Sequence, residues 1–163
     1  MPYPFLLLLF LKLFNYFTLR MDCIFCDIIS GKAEASKIYE DDSIVAFMDI
    51  QPVRKGQVLI IPKEHIDHFS DIPDELAEKI FLKAHHISRI MREKLECERV
   101  GLVVHGYGVP HAHMVIVPQH REDDITSGKM AELENGQIVF TVKNLPIAPR
   151  SELDTIARLL KGD

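Results

Sequence analysis

Two apolar runs rich in β-branched residues, Ser43-Ile44-Val45-Ala46-Phe47-Met48-Asp49-Ile50 and Gln57-Val58-Leu59-Ile60-Ile61-Pro62, flank a short stretch that holds Pro52 and Gly56. Runs of this length, broken by proline and glycine, predict two antiparallel strands joined by a turn at Arg54-Lys55-Gly56. After Pro73, the residues Leu76, Ile80, Phe81, Ala84, Ile87, Ile90, Met91 and Leu95 recur at steps of one, three and four. Proline suits the first position of a helix, so an amphipathic helix of about six turns is predicted there. Further strands are predicted at Val100 to His105 and at Ala112 to Val117, the second closed by Pro118, with His105-Gly106-Tyr107-Gly108-Val109-Pro110 as a tight connection. Beyond Pro118, Gln137 to Val142 reads as a strand, and Ser151-Glu152-Leu153-Asp154 as a capping box that opens a short terminal helix. Strand and helix do not alternate throughout, as a parallel doubly wound sheet requires. The fold class is therefore α+β, an antiparallel sheet with helices on one face.

A chain of 163 residues holds one domain with a real core, and 47% hydrophobic with 26% charged residues excludes a disordered or fibrous protein. No internal repeat is present. Residues 1–20 stand apart, because their uninterrupted apolar run extends only from Phe5 to Leu11. That is far short of the about 18 residues a membrane span needs. No basic residue precedes it and no small-residue cleavage site follows, so it reads poorly as a secretory signal. We read 1–20 as a hydrophobic extension ahead of a natural start at Met21, with a weak signal or surface anchor as the other reading.

Lys and Arg number 19 against 24 Asp and Glu, and Lys12 and Arg20 are the only charges before Met21, which leaves 17 cations against 24 anions from there on. Such an acidic body has no basic stripe for polymeric nucleic acid, although a small anionic ligand can be held locally. Three cysteines are too few, and odd in number, for a secreted disulfide scaffold. A reduced, cytoplasmic compartment is the simpler expectation.

Several residues can carry chemistry. The two-residue gap in Cys23-Ile24-Phe25-Cys26 lets both sulfurs reach one tetrahedral zinc ion, with His65 and His111 available as further ligands; two half-buried thiols without metal are the equal alternative. A redox role lacks the preceding strand that it needs. In His111-Ala112-His113, placed on a strand, alternation puts both imidazoles on one face. A neutral imidazole there can act as nucleophile or base near neutral pH. Gly106 and Gly108 let backbone approach a ligand closely and point N–H groups at a phosphate. His85 and His86 fall on or beside the polar side of the long helix, and His68 and His120 near turns, so these four are expected to be solvated. Cys97, between Glu96 and Glu98, has a context that raises a thiol's pKa and makes it unreactive.

Taken together, Cys23-Ile24-Phe25-Cys26-Asp27-Ile28-Ile29, Lys37-Ile38-Tyr39-Glu40-Asp41-Asp42, Phe47-Met48-Asp49-Ile50-Gln51-Pro52, Gly56-Gln57-Val58-Leu59-Ile60-Ile61-Pro62-Lys63-Glu64-His65 and Val109-Pro110-His111-Ala112-His113-Met114-Val115 resemble the histidine triad family of nucleotide hydrolases and transferases, over roughly residues 22 to 118. The resemblance implies an antiparallel half-barrel of about five strands with one long helix and a short N-terminal helix, paired into a homodimer. It implies a domain over 21–120, with 121–163 as a C-terminal extension. A purine nucleotide would lie across the sheet with its α-phosphate at the triad. His113, the middle histidine, would attack the α-phosphorus to give a nucleotidyl-histidine that water hydrolyses. Asp49 would hold the ribose hydroxyls, Phe47 and Ile50 would wall the base, and Gly106, Gly108 and Val109 would line the nucleotide. Bacterial-type members bind structural zinc at positions filled here by Cys23, Cys26, His65 and His111, which commits His111 to metal.

The third triad histidine is replaced by Val115, which cannot hydrogen-bond. His105, at the end of the preceding strand, is a candidate replacement imidazole. Three functions follow. One is a hydrolase or transferase cleaving a phosphorus–nitrogen or phosphoanhydride bond at a nucleotide α-phosphate. Another is a nucleotide-binding module with little turnover, as Val115 suggests. The third is a zinc-stabilised interaction protein without nucleotide, against which the Asp49 block and the glycine turn argue.

Overall fold

A computed structural model describes residues 23–121, 125 and 130–161. Its core is one open antiparallel sheet of β1 Lys37–Glu40, β2 Ile44–Met48, β3 Val58–Pro62, β4 Arg99–Val103 and β5 Met114–Gln119, in the order β1-β2-β3-β5-β4. The helices are α1 Ile24–Ser30, α2 Asp74–Lys94 and α3 Arg150–Leu160. A separate hairpin pairs β6 Ala131–Glu134 with β7 Gln137–Phe140. The extension 1–20 lies outside the described residues. Among those described, no helix is long and apolar enough to cross a membrane.

β2 and β3 run opposite one another from Ile44↔Pro62 to Met48↔Val58. Every residue of both strands is buried, because the two faces of the sheet are both covered. Period-two alternation sends Ile44, Ala46, Met48, Val58, Ile60, Met114 and Ile116 to one face, where α2 contributes Ile80, Ala84, Ile87 and Met91 and α3 contributes Leu153, Ile156, Ala157 and Leu160. The opposite face gathers Val45, Phe47, Leu59, Ile61, Val115 and Val117 against Cys23, Phe25 and Ile28 of the α1 region. Double coverage explains why these strands read as continuous apolar runs. It also corrects the expectation of helices on one face: α2 and α3 share a face, and α1, too short to show a periodicity, packs on the other.

Several boundaries shift for local reasons. Pro73 is the N-cap of α2, one residue before its first turn, which carries Asp74 and Glu75 where acids complement the helix dipole. The terminal helix starts at Arg150 after Pro149 and has no side-chain cap. Ser151 therefore sits inside the first turn and the capping box does not form. β4 ends at Val103, leaving His105 in the exposed loop that follows. Pro118 lies within β5 opposite Val100 rather than closing the strand. The pairing of β5 with β3 has already ended at Ile116↔Val58, so at Pro118 only β4 is paired with β5.

Candidate functional site

The site forms where α1, the end of β3 and the entry to β5 meet on the α1 face. Phe25 and Ile28 anchor α1 to the sheet, which places Cys23 and Cys26 beside the chain leaving β3. The entry to β5 is pinned by two backbone bonds, His111 N–H to Val109 C=O at 2.8 Å and Ala112 N–H to Ile66 C=O at 2.6 Å. Residues 111–113 are thus an extended lead-in, not part of the strand as expected, because ladder pairing starts at Met114↔Ile60. Both imidazoles still face α1: the Phe25 ring meets His111 edge-on at 5.8 Å and His113 at 5.5 Å between centroids.

Cys23, Cys26, His65 and His111 offer two Sγ and two imidazole nitrogens that all lie within 4.8 Å of one another. Cys23 Sγ is 3.5 Å from His111 Nδ1, Cys26 Sγ is 3.2 Å from His65 Nδ1, and Cys26 Sγ is 3.7 Å from His111 Nδ1. A thiolate and an imidazole on one tetrahedral zinc stand about 3.6 Å apart at the usual bond lengths, so the donor set and spacing fit that ion. His111 Nε2 lies 2.9 Å from the Pro62 carbonyl. Donation of its N–H there leaves Nδ1 as the lone pair aimed at the thiols, the outer hydrogen bond that orients a ligating histidine. Burial pushes the His111 pKa down; nearby His65 and His113 push the same way, and the Pro62 bond opposes them. None of the three cysteines forms a disulfide.

His113 is 8% exposed, and its Nδ1 lies 2.7 Å from the His111 carbonyl. A carbonyl can only accept, so Nδ1 carries the proton and Nε2 the lone pair. Asp49, in the loop after β2, is close enough for His113 to stabilise its charge. Burial pushes the Asp49 carboxyl above its usual range, against hydrogen bonds from the Gln51 N–H at 2.9 Å and the Gln57 amide at 2.6 Å.

The other expected site residues divide. Ile50 is 47% exposed, whereas Phe47 is 3% exposed and packs edge-on against Phe25 at 5.6 Å, so its environment is that of a core residue. A Cβ on Gly106 or Gly108 would meet no protein atom within 4 Å, and Gly108 has φ +106°, which only glycine adopts freely. Val109 is half-buried beside the α1-face cluster. Val115 is 6% exposed on that face, opposite Leu59 and Val103. His85, His86, His68 and His120 are exposed as expected. Burial pushes the Cys97 thiol up, with its backbone hydrogen bonds opposing. Two contributors were not singled out by sequence reasoning: Phe25, hidden as a spacer between the cysteines, and Gln57, a lone amide ahead of an apolar strand. A polar residue in such a run has to find a partner, and that was the available signal.

A sequence model of the HIT domain matches residues 30–122. Over 110 residues the chain is 40% identical to Protein hit of Bacillus subtilis, covering 63% of this chain and 74% of that one. It is 32% identical over 111 residues to an adenylylsulfatase of Arabidopsis thaliana, covering 65% of this chain and 56% of that one. The crystal structure of a Zn-bound histidine triad family protein from Mycobacterium smegmatis matches with a TM-score of 0.64 at 28% identity, covering 86% of this chain and 91% of that one.

Proposed function

The chain belongs to the HIT domain family, and from that premise we propose that it is a nucleotide hydrolase or nucleotidyl transferase acting at the α-phosphate of a purine nucleoside phosphoramidate or dinucleoside polyphosphate. The observation that carries this reading is the 2.7 Å contact from His113 Nδ1 to the His111 carbonyl, which leaves Nε2 as a free lone pair on the face shared with Asp49. Likeness to a relative named as an adenylylsulfatase supports a hydrolytic reaction at a nucleotide.

The mechanism follows from these groups. His113 Nε2 forms a bond to the α-phosphorus while the bond to the leaving nitrogen or oxygen breaks, and the leaving group takes that electron pair and a proton from solvent. Water then attacks phosphorus and releases one proton to solvent, the N–P bond breaks, and the imidazole regains its lone pair. Through both steps Nδ1 keeps its proton and donates it in the hydrogen bond to the His111 carbonyl, which steadies the cationic ring of the intermediate, as does the nearby Asp49 charge. Asp49 holds the ribose hydroxyls, Ile50 flanks the base with the buried Phe47 packed behind that wall, and Gly106, Gly108 and Val109 border the phosphates. His105 is the candidate to supply the imidazole lost at Val115. Structural zinc on Cys23, Cys26, His65 and His111 would neutralise the thiolates and cross-link α1 to the lead-in of β5. Three cysteines outside any disulfide suit a reduced cytoplasmic setting, and we assign the chain as a homodimer there.

Val115 favours a second reading, a nucleotide-binding protein with little turnover, because no polar group stands in the third triad position. Intact-mass measurement of the full chain, mixed with an adenosine phosphoramidate and quenched without acid, separates the two. The enzyme reading expects a transient nucleoside monophosphate adduct on wild type and none on His113→Ala, with turnover reduced on the order of 10⁴-fold. Saturable nucleotide binding with neither adduct nor product would establish the binding module instead.

A further inference from the structure

Gln57 immediately precedes β3 and is 5% exposed, among the few polar side chains buried in this fold. Both ends of its amide are engaged. Oε1 accepts the Val53 N–H at 3.0 Å, and Nε2 donates to Asp49 Oδ2 at 2.6 Å. Its backbone carbonyl accepts the Asp49 N–H at 3.1 Å. One residue therefore holds the start and the middle of the loop that carries Asp49.

The consequence lies in what is left on the carboxylate. Oδ1 accepts the Gln51 N–H at 2.9 Å and Oδ2 accepts Gln57 Nε2. Each carboxylate oxygen has two acceptor sites, so one remains on each, and the two bonds stop the group from rotating. Two adjacent acceptors held in a fixed plane match two adjacent hydroxyl donors. We infer that Gln57 is the positioning residue that makes Asp49 read a vicinal diol, so that the site selects ribonucleotides over 2′-deoxyribonucleotides. The inference rests on the reading of Asp49 as the sugar contact. A 2′-deoxy sugar satisfies one oxygen and leaves the other, half-buried and charged, without its donor. That loss is worth about 10- to 100-fold in affinity.

The loop is also held from its other side, which isolates the effect of the Gln57 side chain. Gln51 Nε2 donates to the Leu145 carbonyl at 3.0 Å, and the Ala148 N–H donates to the Ile50 carbonyl at 2.8 Å. Removing the Gln57 amide therefore releases Asp49 Oδ2 and the Val53 N–H, while the backbone at Asp49 stays tied to the Gln57 carbonyl and Ile50 and Gln51 keep their contacts with 145–148.

The test is calorimetric titration of the full chain with AMP and with 2′-deoxy-AMP, for wild type, Gln57→Met and Gln57→Leu, each variant first checked for cooperative melting. Wild type is expected to prefer AMP by about 10- to 100-fold, and the folded variants to bind AMP about tenfold more weakly with the preference reduced to about threefold or less. Equal wild-type affinity for the two ligands overturns the inference while leaving the nucleotide site intact. Variants that weaken both ligands equally and keep the preference show a residue that only supports the loop, which also overturns it. If neither variant melts cooperatively, Gln57 is a folding residue and the positioning role fails. Absence of AMP binding by wild type refutes the proposed ligand class itself.

Discussion

Asp41 closes the turn between β1 and β2 with its carboxylate. Oδ1 accepts the N–H groups of Ser43 and Ile44, both at 2.9 Å, while Oδ2 accepts the Tyr39 hydroxyl at 2.7 Å and lies 3.0 Å from Lys79 Nζ. Burial works against its charge, but the bonds from Ser43, Tyr39, Ile44 and Lys79 outweigh it and hold the carboxyl well below its usual range. An acid whose folded pKa is depressed stabilises the native state above its unfolded pKa and loses that contribution as pH falls through the folded value. Asp41→Ala is therefore expected to cost about 1–3 kcal/mol at pH 7. The gap to wild type should narrow as the pH falls below about 4, followed by urea unfolding at each pH. A gap that is constant down to pH 2 would mean the turn does not depend on the charge. The candidate site was legible at this scale where a residue type announces its chemistry: the cysteines at a two-residue gap, the histidines two apart, the carboxylate of the Asp49 block. Phe25 and Gln57 were not, because packing against an imidazole and holding a carboxylate are properties of position that residue type alone does not carry.

Among the elements, α2 and the β2–β3 hairpin were readable because each has a period and a stop of its own: Ile80, Ala84, Ile87 and Met91 form a buried stripe along α2, and the turn before Gln57 separates two buried strands. β1 and β6 were not placed by pattern. β1 is four residues with an irregular register between Lys37 and Tyr39, and β6, Ala131–Glu134, has an exposed, acidic pattern that only its pairing with β7 makes a strand. α1 is the element whose stability is most conditional. It has seven residues and no side-chain cap at Cys23, too short to persist without tertiary support. That support is Phe25, Ile28 and the cysteine–histidine cluster. With zinc on that cluster, as proposed, stripping metal from the purified protein with a chelator should lower the melting temperature and speed amide exchange in Ile24–Ser30, while Ile80–Met91 of α2 stays protected. Unchanged protection of α1 after verified metal removal would show that burial alone holds it.

For the whole molecule the question is whether the C-terminal helix belongs to the fold or rides on it. The sequence reading set a boundary at 120, since nothing after Pro118 matched a pattern strong enough to join it to the sheet. In three dimensions Leu153, Ile156, Ala157 and Leu160 of α3 lie in the same buried cluster as Ile38, Met48 and the apolar stripe of α2. A polar latch adds to this: Ser36, 4% exposed, donates to Asp154 Oδ1 at 2.6 Å and accepts from Arg150 at 3.1 Å, while Arg150 also reaches the Glu34 carbonyl at 3.2 Å. These contacts join residues more than a hundred positions apart, which no local pattern can reveal. Burying three large aliphatic side chains contributes about 1.5–3 kcal/mol each, comparable in total to the whole stability of a domain of this size, about 5–15 kcal/mol. A chain ending at Pro149 is therefore expected to show no cooperative thermal transition, whereas Ser36→Ala in the full chain costs about 1–2 kcal/mol and keeps a single one. Scanning calorimetry distinguishes the cases. If the truncated chain melts cooperatively within a few degrees of wild type, α3 is an appendage and the boundary at 120 divides fold from extension. If it does not melt cooperatively, α3 completes the core that holds the sheet beneath His113 and Asp49.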